Sequence, residues 1–311
     1  MNNNWVNTTK GIGILLVIIG HTYGGFPSKM IFLFHMPLFF FLSGMLLSER
    51  PPIPYFIKKS KKSISSYLLY ITILVLIDFT SKYIKHELTL SYMSDMLKNC
   101  IIGGRALTGW FGVFWFVSVL FISQQITNII IIKSNKAISS FIFTGMLLLA
   151  YLNNVNFKVS LPFSIDVVLY AAPIMYIGNL FKKYNPSIAI PALSFASLIS
   201  FSLAPFQRVL EFDMKQGEYG VIACNLIISI TISYIIILCS KNIEINFLTF
   251  LGKGSMAIMF SHQIIHFAIA EHMSNNRFLV TLITISISIC YCFFIVKIRD
   301  KYMIKLMKYA Y

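Results

Sequence analysis

The chain has 311 residues, of which 57% are hydrophobic and only 12% charged, and its mean hydropathy is +0.75. Soluble domains carry about 45–50% apolar and about 25% charged residues, so the composition excludes a soluble globular class and requires a polytopic membrane protein. The net charge of +15 reflects 26 Lys and Arg against 11 Asp and Glu; the basic residues fall in short stretches between apolar runs, where they set orientation, and no nucleic-acid partner is expected.

Apolar runs long enough for a bilayer core predict ten spans, at 11–25, 30–48, 64–80, 110–132, 137–152, 163–181, 187–205, 219–239, 255–271 and 278–297. The expected fold is therefore all-α: one polytopic helical bundle of about ten transmembrane helices, read as a single domain over 1–311. No basic region followed by an apolar run and a small-residue cleavage site opens the chain, so no removable signal peptide is expected. The first two runs, between Lys10 and Gly44, are joined by Gly24-Gly25-Phe26-Pro27 and predict a helical hairpin. Each run carries a histidine, His21 and His35, and an ionisable residue inside a membrane-length segment marks a functional site.

Next comes a basic stretch from Arg50 to Lys62, read as a loop. It fits either a topology signal contacting anionic headgroups or a surface that attracts a polyanionic cosubstrate. Residues 81–109 are polar and Gly-rich and predict a long extramembrane loop. Counting Lys and Arg across alternate loops places seventeen on the side of both termini and nine on the other. The richer side, with both termini, is expected in the cytoplasm.

Spacing ties some of these polar groups together. Lys10 and His21 are eleven positions apart, close to three full turns, so they share one helix face about 16 Å apart. A cationic anchor at one level and a candidate general base at another would result; a snorkelling lysine and a bundle-bonded histidine would leave the same trace. His262 and His266 share a face of the ninth run, but no Glu follows the first as in His-Glu-x-x-His zinc sites, and no metal is predicted. Asp166 lies just inside the sixth run, where a carboxylate can orient an imidazole. The five cysteines show no ligand or disulfide spacing.

Several of these elements resemble the membrane-bound acyltransferase family 3. Lys10 with ten residues before His21 is similar to its Arg/Lys-x10-His motif. Phe34-His35-Met36-Pro37-Leu38-Phe39-Phe40-Phe41-Leu42-Ser43-Gly44 resembles its second-helix signature, above all in the fucose 4-O-acetylase-like branch. Trp115-Phe116-Val117, Leu161-Pro162-Phe163-Ser164-Ile165-Asp166, Gly178 and Leu251-Gly252-Lys253-Gly254-Ser255-Met256 with His262 follow in that branch's order. Phe163 stands where the branch usually has Trp, and Met256 where it has Leu.

The resemblance implies an O-acetyltransferase of the bacterial inner membrane that moves an acetyl group from cytoplasmic acetyl-CoA to a hydroxyl of a cell-surface saccharide, either free or lipid-linked. It implies His21 as principal base or nucleophile, His35 as its assistant or as a ligand of the thioester carbonyl, and Asp166 as an orienting acid. Lys10 and Lys253 would hold the CoA phosphates, and Trp115, Ser43 and His262 would line the substrate pocket. The rival class is a proton-coupled transporter or flippase, for which intramembrane His and Asp would form a relay.

Overall fold

Pro37 sets the shape of the first helical hairpin. A proline ring cannot accommodate the carbonyl four residues before it, and it donates no hydrogen bond there. In the computed structural model, which describes residues 4–184, 189–243, 245–273 and 276–302, the second apolar run accordingly breaks opposite Pro37. The chain runs α1 (Asn4–Thr22), α2 (Gly25–Phe32) and α3 (His35–Met45), with Leu33 and Phe34 between the last two. The Leu33 carbonyl freed by the break accepts a hydrogen bond from the Ser229 hydroxyl at 2.5 Å. Such repair is required of a backbone group at membrane depth. The expected single span 30–48 is therefore two helices, and His35 opens the second. The turn between α1 and α2 uses Gly24 and Gly25 at φ 74° and 65°, a region open to glycine.

The remaining helices are α4 (Pro52–Ile84), α5 (Leu90–Ile102), α6 (Phe114–Lys133), α7 (Lys136–Leu152), α8 (Val168–Tyr184), α9 (Ala189–Leu203), α10 (Phe206–Val209), α11 (Ile222–Asn242), α12 (Asn246–Lys253), α13 (Ser255–His272) and α14 (Arg277–Tyr302). Among the described residues, seven helical segments are long and apolar enough to cross a bilayer. The other three expected spans coincide with α1, α9 and α13. α1 carries Lys10 and His21, α13 carries three histidines and Glu271, and α9 has only 15 residues. Polar residues and length thus separate these three from the rest. The architecture is a polytopic helical membrane bundle.

Two expectations about loops are corrected. The basic stretch is helical from Pro52 onward, because proline suits the first turn of a helix. Its lysines therefore sit on a helix face. The segment 81–109 contains α5, whose N-cap Thr89 accepts from the Tyr92 amide at 3.1 Å. Tyr92 donates its hydroxyl to the buried Asp78 carboxylate at 2.6 Å, tying α5 to α4. Lys305 and Lys308, part of the C-terminal basic cluster, lie outside the described residues.

Glycines allow the tightest helix contacts. A Cβ on Gly11 would overlap the Leu248 carbonyl, and one on Gly252 would overlap the Asn7 carbonyl. Gly44 and Gly178 do the same for the Met175 and Phe41 carbonyls. Backbone therefore meets backbone at α1–α12 and at α3–α8, the packing that small residues permit in membranes. A Thr8–Thr249 hydroxyl contact at 2.9 Å reinforces the first pair.

The connection after α10 folds into an antiparallel β-hairpin, β1 (Phe212–Asp213) and β2 (Glu218–Tyr219), pairing Phe212 with Tyr219 and Asp213 with Glu218. Tyr219 stacks on Tyr170 of α8 with ring centroids 4.3 Å apart. The Asn225 amide donates to the Tyr219 carbonyl at 2.9 Å.

Candidate active site

One face of α1 runs through Asn7, Lys10, Ile14, Val17 and His21, and all five line a single cavity of about 520 Å³. Steps of three and four residues keep them on one side of the helix. Four more helices present faces at the same spacing: Tyr55, Lys59 and Lys62 on α4; Phe116, Leu120 and Gln124 on α6; His35, Phe39 and Ser43 on α3; and Met256, Met259, His262 and Gln263 on α13. The volume lies within the range of small-molecule sites.

The cavity lining has two ends of contrasting charge, termed the basic mouth and the hairpin mouth. The basic mouth carries Lys10, Lys59, Lys62 and Lys253. Gly252 against Asn7 and Gly11 against Leu248 hold α12 on α1, which brings Lys253 beside the Lys10 face. Among the described residues none of these four lysines pairs with a carboxylate. The hairpin mouth is lined by Lys215, Gln216, Asp213 and Phe212 of the β-hairpin together with Gln263 and Gly112.

Three imidazoles meet between the mouths. The His21 ring lies 5.9 Å from His35 and 5.6 Å from His262, centroid to centroid, with Phe32 5.3 Å away. His21 is exposed at the cavity, whereas His35 and His262 are buried. His35 Nδ1 donates to the Ile31 carbonyl at 3.0 Å. His262 Nδ1 donates to the Met259 and Ile258 carbonyls at 2.8 and 3.1 Å. A carbonyl only accepts, so these bonds place the proton on Nδ1 and leave Nε2 of each neutral ring as an acceptor. Nε2 of His262 is buried with no hydrogen-bond partner among the described residues. Among the described residues, no group of three or more His, Cys, Asp or Glu side chains is arranged to hold a metal ion.

The residues singled out from sequence separate into two groups. Lys10, His21, His35, Ser43, Trp115, Lys253 and His262 all line the cavity. Ser43 accepts from the Gln124 amide at 2.8 Å. Asp166 does not line it. Its carboxylate accepts from Arg105 Nη2 at 2.5 Å and from the Leu161 amide at 3.0 Å, and no histidine is among its partners. Phe163 and Ser164, at φ 56° and 55°, turn the chain so that Asp166 faces Arg105. Arg105 Nε in turn donates to the Lys215 carbonyl at 2.5 Å. The acid therefore reaches the site only through the β-hairpin.

Sequence reasoning missed Lys59, Lys62, Gln124, Lys215 and Gln263 as cavity residues. Lys59 and Lys62 were legible as a helical i, i+3 pair once Pro52 was taken as a helix start. Gln263 directly follows His262. Lys215 had no local signal, because only the tertiary packing of the hairpin brings it in.

A helical membrane bundle enclosing a cavity with a polycationic mouth and a cluster of imidazoles has the layout of a membrane-embedded group-transfer enzyme. The acyltransferase domain family model matches residues 3–297, and the chain belongs to that family, acyltransferase family 3. It is a membrane acyltransferase, and so acts on a donor and an acceptor within a bilayer setting. No curated relative and no solved structure matches the chain.

Proposed function

We propose that the enzyme transfers an acetyl group from acetyl-CoA to a hydroxyl of a cell-surface saccharide, with His21 as general base. The observation that carries this reading is the continuous α1 face from Lys10 to His21, which joins lysines that pair with no carboxylate among the described residues to the imidazole cluster. The separation of about 16 Å along the helix is comparable to an extended pantetheine arm. The CoA phosphates bind as polyanions among Lys10, Lys59, Lys62 and Lys253, and the arm carries the thioester towards His21.

His21 Nε2 or Nδ1 takes the proton of the acceptor hydroxyl as its oxygen attacks the thioester carbonyl. The tetrahedral intermediate expels the CoA sulfur, which recovers a proton from the imidazolium. His35 and His262 pack against His21 and fix its ring. Asp166 serves as a positioning residue for the hairpin. Family membership and the lysine-rich mouth favour this over proton-coupled transport. The basic mouth would face the cytoplasm of a bacterial inner membrane, in keeping with the loop charges.

Mass spectrometry of surface glycans from cells with and without the gene tests the reading. The expected difference is one acetyl unit per repeat. Identical glycans, with the protein present in the membrane of the complemented strain, would sink it.

A further inference from the structure

We propose that the hairpin mouth is an acceptor subsite for an uncharged polyhydroxylated ring, read by Lys215 and Gln263. This rests on the acyl-transfer reading and adds the charge of its acceptor and the residues that read it.

The two mouths differ in charge. The basic mouth contributes four lysines and no carboxylate to the cavity wall, whereas the hairpin mouth contributes one lysine, Lys215, and one carboxylate, Asp213. Cation and anion balance there, so an anionic acceptor gains no net attraction. The rest of the polar lining is amide: Gln216 and Gln263. An amide both donates and accepts, as a sugar hydroxyl does. Phe212 and Trp115, both buried, add aromatic carbon to the wall.

Geometry leaves these groups free to act. Lys215 Nζ donates one hydrogen bond to the Leu107 carbonyl at 2.8 Å, which leaves two of its three donors. Asp213 Oδ1 is occupied by the Lys215 amide at 2.9 Å, so the carboxylate shapes the turn without forming an ion pair with Lys215. Gly112 has φ −60°, a value open to any residue, so its lack of a side chain is not demanded by the backbone. A Cβ there would sit 3.3 Å from Lys215 Nζ and 4.0 Å from Gln263 Oε1. The glycine thus keeps open the space between the two polar ends.

The hairpin is fixed rather than loose. Arg105 holds the Lys215 carbonyl, Asp166 holds Arg105, and Tyr170 stacks on Tyr219. A rigid mount of this kind preserves the lysine's aim without contributing to chemistry.

The test uses the full-length protein in lipid nanodiscs, with thiol release from acetyl-CoA followed against added p-nitrophenyl glycosides. The neutral probe is the glucoside; the anionic probe is the glucuronide, which has the same ring with a carboxylate. The glucoside is expected to accelerate thiol release and the glucuronide to do so at least roughly tenfold less well, with Lys215→Met and Gln263→Leu each raising the glucoside KM by about tenfold, the loss of one hydrogen bond to a charged or buried group. The acetyl-CoA KM should remain unchanged in both variants. Gln263→Leu leaves the hairpin contacts intact, so it reports on recognition even if Lys215→Met loosens the fold. Preference for the glucuronide, or an unchanged glucoside KM in both variants, overturns the subsite. If neither glycoside accelerates thiol release by the wild type but mass spectrometry shows glycan acetylation, the subsite falls and the acyl-transfer reading stands. If glycan acetylation is absent as well, both fall.

Discussion

The two mouths of the cavity differ in what their residues lack. At the basic mouth, Lys10, Lys59, Lys62 and Lys253 come together without an anionic partner among the described residues. At the hairpin mouth, Lys215 is offset by Asp213, and behind it, outside the cavity lining, Arg105 is matched by Asp166. Like charges gathered without compensation repel one another, so such a cluster is tolerated where a polyanion completes it. A compensated mouth has no such need and reads its ligand by hydrogen-bond geometry. On the proposed reading, that difference puts the donor at one end and the acceptor at the other.

The largest expected effect comes from the point the two mouths share. His21→Ala removes the base that would meet both substrates, and proton transfer by a positioned side chain contributes roughly 10²–10⁴-fold. Acetyl transfer should fall by that factor with acceptor and acetyl-CoA binding retained, at normal abundance in the membrane. Thiol release assayed beside a protein blot measures it. Transfer within a few-fold of wild type would remove His21 from the chemistry and leave the mouths without a common centre.

Next in size is the donor end. Lys59→Ala with Lys62→Ala should raise the acetyl-CoA KM by about ten- to a hundredfold, the loss of two charge-assisted contacts to phosphate. The acceptor KM should hold. Added salt should mimic the variant, because exposed charges are screened beyond about 8 Å at physiological ionic strength. Equal salt sensitivity of donor and acceptor KM would break the contrast.

Local pattern carried much of this into view from sequence. The Lys10–His21 phase, the Gly24-Gly25 turn and the apolar runs each depend on residues close in the chain; the first two reappear in the structure, and seven of the ten runs meet segments long and apolar enough to cross a bilayer. The break at Leu33–Phe34 was also present, in Pro37, but a run that stays apolar throughout hides a proline's effect on the backbone. Long-range geometry was not legible. His262 joins His21 at 5.6 Å across 241 positions, and Lys215 enters the cavity only because Arg105 and Tyr170 hold its hairpin. Asp166 teaches the converse. A buried acid near a histidine-rich site invites a triad reading, yet its partner is the guanidinium placed opposite it by the Phe163-Ser164 turn.

That placement yields the third effect. Asp166→Asn leaves the Arg105 charge without its partner; the pair has side chains only 14% and 4% exposed. Breaking a buried pair on one side costs about 3–5 kcal/mol, so the melting temperature should drop. Because Arg105 holds the Lys215 carbonyl, the acceptor KM should rise several-fold while the pH profile of kcat keeps its shape. A shifted kcat profile would instead mean that Asp166 tunes the imidazole base, against the hydrogen bonds seen here.

The smallest effect is a pH dependence confined to the hairpin mouth. Burial lowers the Lys215 pKa below the ordinary lysine value of 10.5, and the nearby Asp213 opposes this in smaller measure. Charging a lysine whose folded pKa is depressed costs the folded state, so the ammonium is lost at a lower pH than from an exposed lysine. If the ammonium binds the acceptor, acceptor affinity is full below the lowered pKa and declines as pH rises through it, before the range in which exposed lysines titrate. Measuring the acceptor KM from neutral to alkaline pH should show that rise in the wild type. In Lys215→Met the KM should be high and flat over the same range. An alkaline limb that survives unchanged in the variant would assign the titration to another group and take the ammonium out of acceptor recognition.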